Sequence, residues 1–152
     1  MEDFYAMQSF YVNEGKKEVH PELFHTIAKK IASSFVPEDN RGNYYSVSRS
    51  QIRRLYNEVK RYDQKLDGDP EKWKKYYPYI KMIKSKVSYN IARAIEKNRF
   101  EADVYKNLSK FILEGLDQVK DEEYYHVFAA LFEAVYGFYY EKNPERKMRR
   151  GN

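Results

Sequence analysis

Tyr79-Ile80-Lys81-Met82-Ile83-Lys84-Ser85-Lys86-Val87-Ser88-Tyr89-Asn90-Ile91-Ala92-Arg93-Ala94-Ile95-Glu96 is the stretch on which the reading of this chain turns. Its apolar residues Ile80, Ile83, Val87, Ile91, Ala94 and Ile95 recur at the spacing of one face of an α-helix. The same period extends outward in both directions. Upstream, residues 21–35 carry Leu23, Phe24, Ile27, Ala28, Ile31 and Phe35 as one stripe, with Pro21 suited to the first turn and Pro37 to the stop. Glu38 to Asn43 reads as a loop. Ser48-Arg49-Ser50-Gln51 is a capping box, and the helix it opens places Ile52, Leu55, Tyr56, Val59 and Tyr62 on one side. Asp67-Gly68-Asp69-Pro70 ends that helix in a turn. Downstream, a helix is predicted over about 101–119 (Val104, Tyr105, Leu108, Phe111, Ile112, Leu116, Val119) and another over about 121–141 (Tyr124, Val127, Phe128, Leu131, Phe132, Val135, Phe138). No strand-length alternation competes with these stripes. The expected fold is all-α, a single compact bundle of about five helices over residues 1–141, with 1–20 extended or mobile and 142–152 a mobile basic tail.

Composition narrows the class further. A chain of 152 residues suits one domain with one core. Cysteine is absent, which removes disulfides, thiol nucleophiles and cysteine-ligated metals together. No apolar run reaches the length of a membrane helix, and Met1 to Ser9 lacks the charged start and apolar centre of a secretory signal, so a cytoplasmic protein without membrane contact is expected. The 16 Tyr and 9 Phe point to an aromatic core under a charged surface. That charge is segregated along the chain. Residues 41–62 hold six basic side chains and one acidic, and residues 71–99 hold nine and two. Residues 100–141 reverse the sign, with three basic and nine acidic. Basic blocks set between acidic ones suit a polyanion on one face and protein or solvent elsewhere.

Enzyme chemistry finds little footing. Glu22-x-x-His25 and Glu123-x-x-His126 repeat the Glu-x-x-His spacing of di-iron helical bundles, which also require lone inward carboxylates such as Glu58 or Glu96. At 100° per residue all six side chains fall off the apolar stripes, so they read as surface residues. His20 and His25 share no face, and Glu122 with Glu123 suits a helix N-terminus. No phosphate-binding glycine loop and no serine nucleophile elbow occurs. No catalytic residue, metal site or cofactor is predicted.

The basic helices are more telling. In the opening stretch Lys86, Asn90, Arg93 and Lys97 form one polar strip, and Lys81, Lys84, Ser85 and Ser88 form a second. The preceding helix sets Arg49, Arg53, Arg54, Lys60 and Arg61 away from its apolar stripe, with Glu58 the one acid as far as Tyr62. Cations one helical turn apart can follow a phosphate backbone, with Ser and Asn adding hydrogen bonds. Tyr89 beside the first strip could stack on a base or serve at the margin of the core. From the residues alone, nucleic-acid binding and a solvated charged face both remain open.

These helices also carry a family resemblance. Ser50-Gln51-Ile52-Arg53-Arg54-Leu55-Tyr56 resembles the Ser-Gln-Ile/Leu-Arg-Lys/Arg opening of the small subunit of type III-A CRISPR effector complexes, the Csm small subunit. Ile80 to Asn90, with the Arg93 that follows, is similar to the same family's Lys-Met-Leu/Ile-x-x-Lys-Ile/Val-x-Tyr segment. Phe128, Phe132, Glu133 and Tyr136 to Tyr140 fit its aromatic C-terminal end. The resemblance covers residues 48–140, with Ala92 where the family often has Gly and Ser88 where it often has Ala. It implies a non-catalytic, RNA-binding subunit that stacks head-to-tail in several copies beside the other complex subunits. Contact with crRNA and target RNA would run mainly through sugar and phosphate, leaving sequence to base pairing. Carried over, Gln51, Arg53, Arg54, Lys81, Lys84, Lys86 and Arg93 are the expected RNA-binding residues. The alternative is a helical adaptor whose basic faces dock an acidic protein.

Overall fold

The structure, a computed structural model, describes residues 9–37 and 45–142. The loop predicted over Glu38 to Asn43 and the basic tail beyond Lys142 lie outside the described residues, as do residues 1–8. The described chain runs β1 (Tyr11–Asn13), β2 (Glu18–Val19), a π-helical turn (Leu23–Ile27) leading into α1 (Ala28–Ser33), α2 (Arg49–Lys65), α3 (Pro70–Lys97), a 3-10 turn (Arg99–Glu101), α4 (Ala102–Asp117) and α5 (Glu122–Lys142). The all-α bundle stands, with three departures in detail.

The first is the hairpin β1–β2, which pairs antiparallel with Tyr11 opposite Val19. The sequence shows no alternation there because the hairpin is held by contacts from afar and not by a patterned face of its own. Phe10 is fully buried, and its N–H donates to Gln118 Oε1 at 3.1 Å. Tyr11 meets the Tyr124 ring edge-on at 4.7 Å, and Lys17 pairs with Asp121 at 2.7 Å. The second is the π-turn, closed by Ile27 N–H to Glu22 C=O at 3.0 Å across five residues. Its extra residue displaces Phe24 from the predicted stripe, leaving that ring 40% exposed. The third is the length of α3. Asp69 caps it through Oδ1 to the Glu71 N–H at 2.9 Å, and Pro70 occupies its first turn. The helix then continues through Pro78 and so begins well before Tyr79, where the sequence stripe opens. Pro78 is exposed, so water can reach the carbonyl that its missing N–H leaves unpaired.

α5 is the central strut, packed against α1 on one side and α2 on another, while α3 bridges α2 to α4. The core beneath is aromatic as expected. Phe111 stands edge-on to Phe132 at 5.2 Å and lies 5.8 Å from Phe128, which in turn meets Phe10. Three buried tyrosines explain part of the tyrosine excess, because each spends its hydroxyl on the backbone around α2. Tyr105 Oη accepts from the Ser48 N–H at 3.0 Å, Tyr139 donates to Val47 C=O at 2.7 Å, and Tyr125 donates to Val59 C=O at 2.6 Å. Burial raises the Tyr125 phenol well above its ordinary value, so this donor keeps its proton. With Ser48 Oγ accepting from the Gln51 N–H at 3.2 Å, the predicted cap forms, and α2 hangs from its neighbours by both its start and its middle.

Candidate nucleic-acid interface

α2 and α3 lie side by side, so the polar residues on their facing flanks define a shared groove. Gln51 and Arg54 enter it from α2, and Tyr89, Asn90, Arg93 and Lys97 from α3, around a volume of about 210 Å³. No carboxylate lines this groove. Three of the seven predicted residues, Gln51, Arg54 and Arg93, therefore meet in one place. Asn90, Lys97 and Tyr89 join them; the regular spacing of Asn90, Arg93 and Lys97 along the sequence is the signal for this strip, and it marks one flank of one helix.

Among the described residues no carboxylate pairs with Arg54, Arg93 or Lys97. Arg93 donates from Nη1 to the Tyr89 hydroxyl at 3.1 Å, and its guanidinium lies 5.8 Å from the centre of that ring. The Tyr89 contact favours the charged guanidinium further. A planar donor fork is thus held in place without being neutralised.

The other four predicted residues go elsewhere. Lys86 lies one turn along the same strip, but it is half-buried and pairs with Glu58 of α2 at 2.5 Å. Lys84 pairs with Asp117 of α4 on the opposite flank of α3. Lys81 shares that flank, its ammonium 4.7 Å from the centre of the Tyr77 ring. Arg53 faces α5, where the Tyr136 hydroxyl hydrogen-bonds it and favours its charge. The two strips read from the sequence are therefore two sides of α3, one turned to α2 and one to α4.

The surface reading of the two Glu-x-x-His motifs needs a correction at His126. Glu22 and His25 are exposed, 3.6 Å apart, and Glu123 is exposed beside Lys17. His126, however, is half-buried in the seam between α5 and α2, with Nδ1 at 2.5 Å from Asp63 and Nε2 at 2.9 Å from Glu122. Glu122 also accepts the Gly68 N–H at 2.8 Å, which ties the α2–α3 turn to the same cluster. A single apolar stripe misjudges α5 because that helix is buried on two sides. Among the described residues, no group of three or more His, Asp or Glu side chains is placed to hold a metal.

A larger cavity of about 580 Å³ opens between α1 and α4 beside Tyr45 and Phe100, and holds none of the predicted residues. No described helix is long and apolar enough to cross a membrane. In comparison with known proteins, a family model described as Csm2 Type III-A matches residues 18–143. No curated protein and no solved structure matches the chain.

Proposed function

The chain belongs to the Csm2 Type III-A family, the small subunit of the type III-A Csm complex, and we propose that it binds RNA there through the α2/α3 groove. The family is a structural, non-catalytic one, so cleavage is assigned to other subunits. In this reading Arg54 and Arg93 contact sugar and phosphate of the guide–target duplex from within the groove, with Gln51 facing the RNA beside them, and Lys97 extends the path along α3. Arg53, Lys81 and Lys84 stand on neighbouring flanks, where a curved duplex or a second strand would reach them. Several copies stack head-to-tail, with acidic α4 and α5 surfaces meeting the basic faces of the next copy. The observation that carries the proposal is the groove's unpaired charge: three cations converge with no carboxylate among them, whereas Lys84 and Lys86 are already paired.

Arg54→Gln with Arg93→Gln removes two cations without touching the core. The double variant is expected to melt like the wild type and to bind RNA of any sequence more weakly. Its log K against log[salt] slope should flatten by ~0.7 for each phosphate no longer neutralised on single strands, or ~0.9 on duplex by the B-form value. Unchanged affinity and slope would remove RNA from this groove and leave the basic faces as protein-docking or solvated surface.

A further inference from the structure

The groove carries two features that phosphate binding does not use. The first is Tyr89, whose side of α3 leaves the residue 60% exposed beside the cavity. Its hydroxyl is engaged by Arg93, so the ring is oriented while its surface stays in water. A fixed, exposed ring offers a flat π-face with little rotamer freedom left to lose. The second is a pair of side-chain amides, Gln51 and Asn90, in the same groove. Each amide offers an acceptor as well as donors, so the pair can match the edge of a base, whereas a phosphate presents only acceptors. The groove, about 210 Å³ in volume, has room for a heterocyclic base.

We infer that the α2/α3 groove takes one unpaired nucleobase of the bound RNA, stacked on Tyr89 and hydrogen-bonded by Gln51 and Asn90. Arg54, Arg93 and Lys97 then hold the phosphates on either side of that nucleotide. This rests on the RNA-binding reading and adds a preference to it. A base inside a duplex has its faces stacked and its Watson–Crick edge spent, so it cannot enter; an unpaired one can.

The test compares a short single-stranded RNA with a blunt duplex of the same sequence, bound to the full chain in the same salt series. Tyr89→Leu keeps an apolar side chain at an exposed helical position and removes the ring. It should weaken single-strand binding by about tenfold and leave duplex binding unchanged, with the salt slope unaltered because every cation of the groove remains. Tyr89→Phe keeps the ring but not the Arg93 hydrogen bond, and should bind single strands within about threefold of wild type. If Tyr89→Leu binds single strands normally while Arg54→Gln binds them weakly, the groove holds phosphate alone; this inference fails and the RNA reading survives. If Tyr89→Leu weakens both RNAs equally, base preference is likewise refuted. If neither variant changes binding, both readings fall.

Discussion

His126→Gln should lower thermal stability in a manner that depends on pH, and the sign follows from the geometry. Both imidazole nitrogens face carboxylates, Asp63 of α2 and Glu122 of α5, so both must carry protons for the two hydrogen bonds to form. Burial in the seam opposes the charged ring, but the hydrogen bonds to Asp63 and Glu122 outweigh it and hold the pKa above the ordinary 6.5. The other groups facing the cluster are Lys60, 3.5 Å from Asp63, and the Gly68 N–H on Glu122. A group whose pKa is raised by folding gives its full stabilisation below the unfolded value and loses it as pH climbs through the folded value. Two charge-assisted bonds would contribute about 1.5–3 kcal/mol each if fully enclosed. The His126 side chain keeps 38% of its surface in solvent, so screening reduces the pair to about 1–2 kcal/mol in total. In a chain of this size that is a Tm lower by ~2–8 °C. Circular dichroism melts of both proteins should show the gap whole near pH ~5.5 and closing as pH rises above the ordinary histidine range near ~6.5. A gap that stays constant with pH, or opens at alkaline pH, would refute a charged imidazolium joining α2 to α5.

Two further outcomes follow from the same architecture. Tyr139→Phe removes one of two donors to the buried Val47 carbonyl, the other being the Ser46 hydroxyl at 2.7 Å, and should cost about 0.5–1.5 kcal/mol in chemical denaturation; an unchanged midpoint would mean that this tether does not position the start of α2. Glu58→Gln releases Lys86 into the strip that already holds Asn90, Arg93 and Lys97, so RNA affinity should rise and the salt slope steepen by ~0.7 on single strands; an unchanged slope would show that Lys86 does not reach RNA even when freed.

How far the fold can be read from the sequence depends on whether the deciding contact is local. The cap of α2 needs only Ser48 and Gln51, three residues apart, and it forms as expected. The stripe of α3 needs only spacing, and Ile80, Ile83, Val87, Ile91 and Ala94 are all buried. Pro78 hides the first turns of α3, because its local penalty is overridden once Tyr76 and Trp73 pack on the core. The hairpin at Tyr11 and the seam at His126 are illegible for a different reason: Gln118, Tyr124 and Asp63 supply their partners from far along the chain. The candidate site divides the same way. Spacing places Arg93 with Asn90 and Lys97, while nothing local shows that Glu58 and Asp117 take Lys86 and Lys84.

That division bears on what net charge can say about binding. The sequence of α3 is strongly basic, yet neighbouring helices answer its lysines selectively. Glu58 reaches Lys86, Asp117 reaches Lys84, and in α2 Lys60 is approached by Glu133 from α5. Among the positions that the acidic segments leave uncovered is the span of α3 from Tyr89 to Lys97 where it faces Gln51 and Arg54. Exposed ion pairs contribute little to stability, so these pairings matter more for where they cancel positive potential than for how firmly they hold helices together. Two of the three cations in the groove are arginines, Arg54 and Arg93. A guanidinium oriented by Tyr89 can meet phosphate through two parallel donors, which a freely rotating ammonium cannot do. The fold that suspends α2 from three tyrosine hydroxyls therefore sets the position of Arg54 against Arg93. RNA affinity should follow that relative position more closely than it follows the chain's overall charge.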